Sequence, residues 1–149
     1  MVRVILGAEK SLNDRVERFR RPLDAHFGRT DEAIAMATTW TASNMHATAI
    51  IALTESGSTA LMMSRTETRI PIYALTRHEK TRRRMALCRG VYPVEFVPSQ
   101  LDTLLPSTEA VACLKNCNGI KTGDRVLMTK GDFNGPGGTN TMKIITVGE

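Results

Sequence analysis

The chain predicts an α/β fold. The expected architecture is a three-layer sandwich: a five-stranded, mostly parallel sheet in the order 3-2-1-4-5, its last strand antiparallel, flanked by helices. Three observations point there. Short apolar runs recur at 47–53, 70–76, 91–97, 124–130 and 141–147, with the length and composition of covered strands. Helix-like segments separate the first four runs, and such alternation implies βαβ units with right-handed crossovers. Only a glycine-rich loop joins the last two, too short for a crossover helix, so that pair runs antiparallel.

Each element has its own justification. Residues 1–11, "MVRVILGAEKS", are helix-compatible and lead into an arginine-rich stretch that Pro22 breaks. Residues 1–28 therefore read as a linker or docking segment, and 29–149 as the domain. From Thr30, an expected N-cap, acids in the first turn precede Ile34, Met36, Ala37 and Trp40, the expected apolar set of a helix. "ATAIIAL" (47–53) is the first strand, "STALMMSRT" the next helix and "IPIYALT" (70–76) the second strand, where Pro71 is tolerable near the start. "RHEKTRRRMALC" (77–88) is a helix and "VYPVEFV" (91–97) a strand. A longer helical stretch follows, interrupted near Pro106; "DRVLMTK" and "TMKIITV" are the last two strands.

Composition narrows the function classes. The 149 residues suit one domain, and 42% hydrophobic content supports a globular core. No apolar run approaches the roughly 20 residues of a membrane helix, and the start lacks the pattern of a signal peptide. A cytoplasmic location is expected. Three cysteines, Cys88, Cys113 and Cys117, argue against a disulfide framework. Cys113 and Cys117 share a helix face, but no second pair completes a zinc site, so the pair reads as small core residues. A net charge of +5 permits anionic partners without choosing among them.

The stretch "TESGSTALMMSR" carries the main functional signal. In an open parallel sheet, ligands sit beyond the carboxyl ends of the strands. Here the first strand ends in Thr54, Glu55, Ser56, Gly57, Ser58 and Thr59. Gly57 allows close backbone approach, and four hydroxyls can donate to phosphate oxygens. An ordinary helix cap is the plain alternative, and pattern alone leaves both open. The P-loop spacing is absent. A second signal is the long loop Asp132, Phe133, Asn134, Gly135, Pro136, Gly137, Gly138, Thr139, which reads either as a hairpin turn or as a flap over a ligand. The basic segment Arg77, His78, Lys80, Arg82, Arg83, Arg84 lacks the aromatic interleaving of a nucleic-acid binder and reads as a solvated or interface face. His26, His46 and His78 show no metal spacing, and no nucleophile has an evident base. The residues describe a binding domain without a visible catalytic constellation.

Taken together, "LTESGSTALMMSR" (53–65), "RIPIYALTRHEKT" (69–81), "LCRGVYPV" (87–94), "KTGDRVLMTKGD" (121–132) and "GTNTMKIITV" (138–147) resemble the C-terminal domain of pyruvate kinase. "LGAEK" and "RTDEAIAMA" fit the segment leading into that domain. The resemblance covers nearly the whole chain in the right order. It implies a parent enzyme that transfers phosphoryl from phosphoenolpyruvate to ADP, using Mg²⁺ and K⁺ bound elsewhere. It implies no catalytic residue, metal or cofactor on this domain, and no activity for it alone. Residues 1–28 would be the end of the preceding barrel domain and a linker.

In that family the domain carries an allosteric effector site and part of a tetramer contact. The resemblance assigns the effector phosphate to Thr54, Glu55, Ser56, Gly57, Ser58 and Thr59, and loop closure to Asp132–Thr139. Forms activated by fructose 1,6-bisphosphate often have a basic residue where this chain has Glu55, and tryptophan and arginine where it has Asp132 and Phe133. Ser58 replaces a common arginine. Fewer cations fit one phosphate better than two, so the expected effector is a sugar monophosphate or AMP. Nucleic acid and membrane are not expected partners. The competing readings are a purely structural oligomerisation domain, a stand-alone phosphate-ligand-binding protein, a small phosphotransferase and a nucleic-acid module.

Overall fold

A computed structural model describes residues 26–66, 68–99, 105–131 and 138–148. The sheet runs β3-β2-β1-β4-β5, as expected. Its strands are β1 (Ala49–Leu53), β2 (Ile72–Thr76), β3 (Val91–Glu95), β4 (Arg125–Gly131) and β5 (Thr139–Thr146). The first three and β4 pair parallel; β4 and β5 pair antiparallel, with a register shift at Lys130/Gly131. The helices are α1 (Thr30–Asn44), α2 (Ser58–Ser64), α3 (Glu79–Met85) and α4 (Leu105–Asn116).

Crossover handedness sets the layers. From β1 the chain steps outward through α2 to β2 and through α3 to β3, so right-handed crossovers put both helices on one face. It then returns past β1 to β4, and the same handedness puts α4 on the other face. The two cores follow. Ile50, Ala52, Ile72, Ala74 and Leu127 pack under Ala35, Ala42, Ala60, Met63 and Met85. Ala49, Ile51, Leu75, Val126 and Met128 pack under Ala110 and Leu114. Strand alternation sends successive residues to opposite faces, and both faces are covered, so β1 is buried nearly throughout. Pro93 is accommodated because β3 is an edge strand.

Three local expectations need correction. The N-cap position of α1 is Arg29, not Thr30, and no side chain caps it. Instead the buried Asp31 carboxylate accepts from Arg29 Nε and Nη2 at 3.0 and 2.6 Å and from the Glu32 N–H. That pairing, hydrogen bond first and charge second, raises the guanidinium pKa.

The buried face of α1 is also not the large apolar set. Trp40 is 63% exposed and Ala37 is exposed; the buried residues include Ala35, Thr38, Thr39 and Ala42. These recur at helical spacing and are small, which lets α1 lie close against α2 and the sheet. The threonines tolerate burial because each hydroxyl bonds its own helix: Thr38 to the Ile34 carbonyl at 2.7 Å, Thr39 to the Ala35 and Met36 carbonyls.

The expected break near Pro106 falls beside residues 100–104, which lie outside the described residues, but Pro106 itself belongs to α4. It falls in the first turn of α4, where a missing N–H costs no intrahelical bond. Glu109 in the same helix holds Ser99, accepting its N–H at 2.9 Å and its hydroxyl. The Ser99 hydroxyl, then its N–H, lowers the Glu109 pKa.

The cysteines divide. Cys88 and Cys113 are half-buried, but Cys117 is exposed because α4 has already ended, which corrects the expectation of a core pair at 113 and 117. Burial, then the neighbouring Cys117, raises the Cys113 thiol pKa. Residues 1–25, most of the expected linker, lie outside the described residues. Among the described residues, no helix is long and apolar enough to cross a membrane.

Candidate functional site

Strand order locates the site. β1 sits between β2 and β4, and the chain leaves its carboxyl end toward one side and returns on the other. In open α/β sheets such a reversal places the ligand crevice beyond the carboxyl ends of the two strands, here β1 and β4. Thr54–Thr59 follow β1 on that side, and the described ends of the β4–β5 connection there are Gly131 and Gly138. The expected loop residues Asp132, Phe133, Asn134, Gly135, Pro136 and Gly137 lie outside the described residues; Gly138 and Thr139 are described.

The turn is built by its own hydroxyls. Thr54 Oγ1 accepts the Gly57 N–H at 2.9 Å. Ser56 Oγ accepts the Ser58 N–H at 3.4 Å and donates to Ser58 Oγ at 3.2 Å. Gly57 adopts φ +83°, and an added Cβ would fall 2.6 Å from the Met85 sulfur. Only glycine satisfies both conditions without strain. The Gly57 carbonyl then accepts the Leu61 N–H and starts α2. The amides of Thr59 and Ala60, in its first turn, have no carbonyl four residues back within the helix.

The six candidate residues take different places. Thr54, Ser56 and Ser58 are half-buried at the mouth of the crevice. Thr54 and Ser58 use oxygen lone pairs in the turn, so each keeps a hydroxyl hydrogen to donate. Thr59 is turned inward: it is 1% exposed, and its Oγ1 lies 2.6 Å from Thr139 Oγ1. It ties the start of α2 to the start of β5. Nearby Thr129, on β4, is fully buried, and its hydroxyl has no hydrogen-bond partner among the described residues.

Glu55 faces the next turn along the sheet edge. Its Oε2 bonds both Arg77 Nε, at 3.3 Å, and His78 Nε2. Its backbone carbonyl accepts from Thr81 Oγ1 of α3 at 2.8 Å. These contacts, and the Thr59–Thr139 pair, were not foreseen from sequence; partners 22 to 80 residues apart leave no local signal. Within the basic segment, Arg82 pairs with Glu95 and Arg83 with Glu79, leaving that face partly neutralised.

The class is thus an open α/β domain with a mixed sheet and a hydroxyl-rich turn at its switch point. Residues 32–145 match the family model described as pyruvate kinase, alpha/beta domain, and the chain belongs to that family. It is 45% identical over 149 residues to pyruvate kinase II of Salmonella typhimurium, covering 99% of this chain and 30% of that protein. It is 42% identical, with the same coverage, to a pyruvate kinase of Buchnera aphidicola subsp. Schizaphis graminum. Pyruvate kinase 2 of Saccharomyces cerevisiae is 32% identical over 125 residues, 80% of this chain and 25% of that protein. The chain therefore spans under a third of the length of these relatives.

Proposed function

We propose that this chain is the regulatory, C-terminal domain of a pyruvate kinase, and that its switch-point turn binds the phosphate of an allosteric effector. The observation carrying this reading is the half-exposed trio Thr54, Ser56 and Ser58 at the mouth of the crevice, beside first-turn amides of α2. Hydroxyls and amides together suit phosphate oxygens. The effector is a sugar monophosphate or AMP. The whole protein transfers phosphoryl from phosphoenolpyruvate to ADP in the cytoplasm, on residues and with Mg²⁺ and K⁺ that this domain does not supply; alone, the chain is inactive.

Calorimetric titration with AMP, ribose 5-phosphate and glucose 6-phosphate tests this. Saturable binding of one of them is expected, weakened about tenfold or more in Ser58→Ala, because a lost hydrogen bond to a charged phosphate is worth roughly 1.5–3 kcal/mol. Absence of binding by all three would overturn the effector reading.

The exposed Trp40 of α1 favours a second role, a contact between copies within a tetramer. A large aromatic ring open to solvent is a frequent anchor of such contacts. Light scattering is expected to show self-association of the chain that Trp40→Glu abolishes. A native chain that stays monomeric at high concentration would remove this role.

A further inference from the structure

The end of α4 carries a pair of thiols that the phosphate reading does not use. Cys113 lies in the helix, and Cys117 follows one turn later, just past its last residue. The turn between them still has helical hydrogen bonding: the Cys117 N–H bonds the Cys113 carbonyl at 3.2 Å. That bond puts both side chains on one face. Cys117 is exposed and Cys113 half-buried, so solutes reach the pair. The two thiols sense each other: after burial, the charge and the hydrogen bond of Cys117 raise the Cys113 thiol pKa. Neighbouring carboxylates are engaged elsewhere. Cys113 Sγ donates to the Glu95 carbonyl at 4.0 Å, while the Glu95 carboxylate pairs with Arg82. Glu109, one turn before Cys113, holds Ser99. Cys88 packs on the opposite face of the sheet. Among the described residues, no group of three or more His, Cys, Asp or Glu side chains is placed to hold a metal ion.

We propose that Cys113 and Cys117 form a two-thiolate site for a soft monovalent cation of the Cu⁺ type. Ligand number decides the ion. Zinc takes four ligands, or three with an open position, and iron–sulfur clusters take four thiolates. A pair of thiolates suits Cu⁺, a soft ion that accepts two sulfurs in line. Spacing decides between a bound ion and a disulfide. Side chains four apart on a helix have Cβ atoms about 5–6 Å apart, whereas a disulfide needs about 3.5–4.5 Å. An ion between the sulfurs, with metal–sulfur bonds of about 2.3 Å, holds them roughly 4.6 Å apart and bridges the turn without unwinding it. On binding, each thiol releases its proton to solvent as its sulfur bonds the ion, giving a singly negative complex; no electron is exchanged. The Cys113 bond to the Glu95 carbonyl is given up in the same step.

The test uses the full chain, reduced and free of oxygen, titrated with Cu⁺ against a chromophoric Cu⁺ chelator. The native chain is expected to take up one equivalent and to gain the ultraviolet absorbance of copper–thiolate bonds. Cys113→Ser and Cys117→Ser each lose that equivalent to the chelator, and Cys88→Ser keeps it. Far-ultraviolet circular dichroism should be the same for all four chains, which separates loss of the site from loss of the fold. Failure of the native chain to compete with the chelator overturns the inference, as does retention of the ion by either variant of the pair or its loss in Cys88→Ser. One ion per two chains, with a doubled mass by light scattering, also overturns it, since the exposed Cys117 thiols would then be bridging copies. As a second readout, mild oxidation of the metal-free chain with diamide should leave Cys113 and Cys117 free to alkylation. An internal disulfide between them would overturn the spacing argument. The outcome is independent of whether the turn after β1 binds a phosphate ester.

Discussion

Gly57→Ala is expected to destabilise the chain by about 2–4 kcal/mol, from backbone strain plus overpacking, and to abolish phosphate-ester binding. Two costs combine. The residue holds φ +83°, which an alanine adopts only under strain. The new methyl would also lie 2.6 and 2.7 Å from Met85 Sδ and Cε. A methionine end would normally swing aside, but Met85 is 2% exposed and packs in the core under α3. Relief must come from the core or from the turn. If the turn yields, the Gly57 N–H leaves Thr54, and the Ser56–Ser58 arrangement goes with it. Urea unfolding reads the first effect and calorimetry the second. An unchanged unfolding midpoint would mean that the turn reaches negative φ at no cost.

Thr59→Val should destabilise by roughly 1–3 kcal/mol, because it strands a buried hydroxyl on Thr139. Valine keeps the shape of threonine, so packing is preserved and the loss is almost entirely polar. Thr139→Val should cost a similar amount by stranding Thr59. Replacing both removes donor and acceptor together, and the double variant should lose clearly less than the sum of the single losses. Strict additivity in the double-mutant cycle would show that the two hydroxyls are not coupled. The outcome bears on function, since this bond joins the turn after β1 to the strand after the glycine-rich loop. A destabilised pair should loosen the hairpin base and weaken monophosphate binding even though neither hydroxyl faces the crevice mouth.

The architecture was legible because its signals are local. Five apolar runs such as "ATAIIAL" and "IPIYALT" read as strands by length and β-branched content. The intervening patterns read as helices, and chain connectivity with handedness constrains how they stack. The face of α1 was misread for a physical reason. Hydropathy selects Ile34 and Trp40, whereas close packing against α2 selects small residues, and threonines become buriable once they bond their own backbone. A hydrophobic period cannot register that compensation.

The hydroxyl-rich turn could be found in sequence, but not the division of labour within it. Thr54, Ser56, Ser58 and Thr59 look equivalent as a string. In the fold, Thr59 alone turns inward, because Thr139 lies against it across 80 residues of chain. Glu55 likewise reads as a lone repelling charge until the side-by-side ends of β1 and β2 bring Arg77 and His78 to it.

By itself, then, the sequence determined the elements, their alternation, the antiparallel close of the sheet and the family. The first three follow from residue periodicity and connectivity, which act over a few neighbouring positions; the family follows from the resemblance of whole segments such as "LTESGSTALMMSR". Tertiary structure alone decided which face of α1 is buried, why position 57 must be glycine and which anion Arg77 and His78 hold. Those depend on side chains from separate elements meeting at ångström distances, and no spacing along the chain encodes such a meeting.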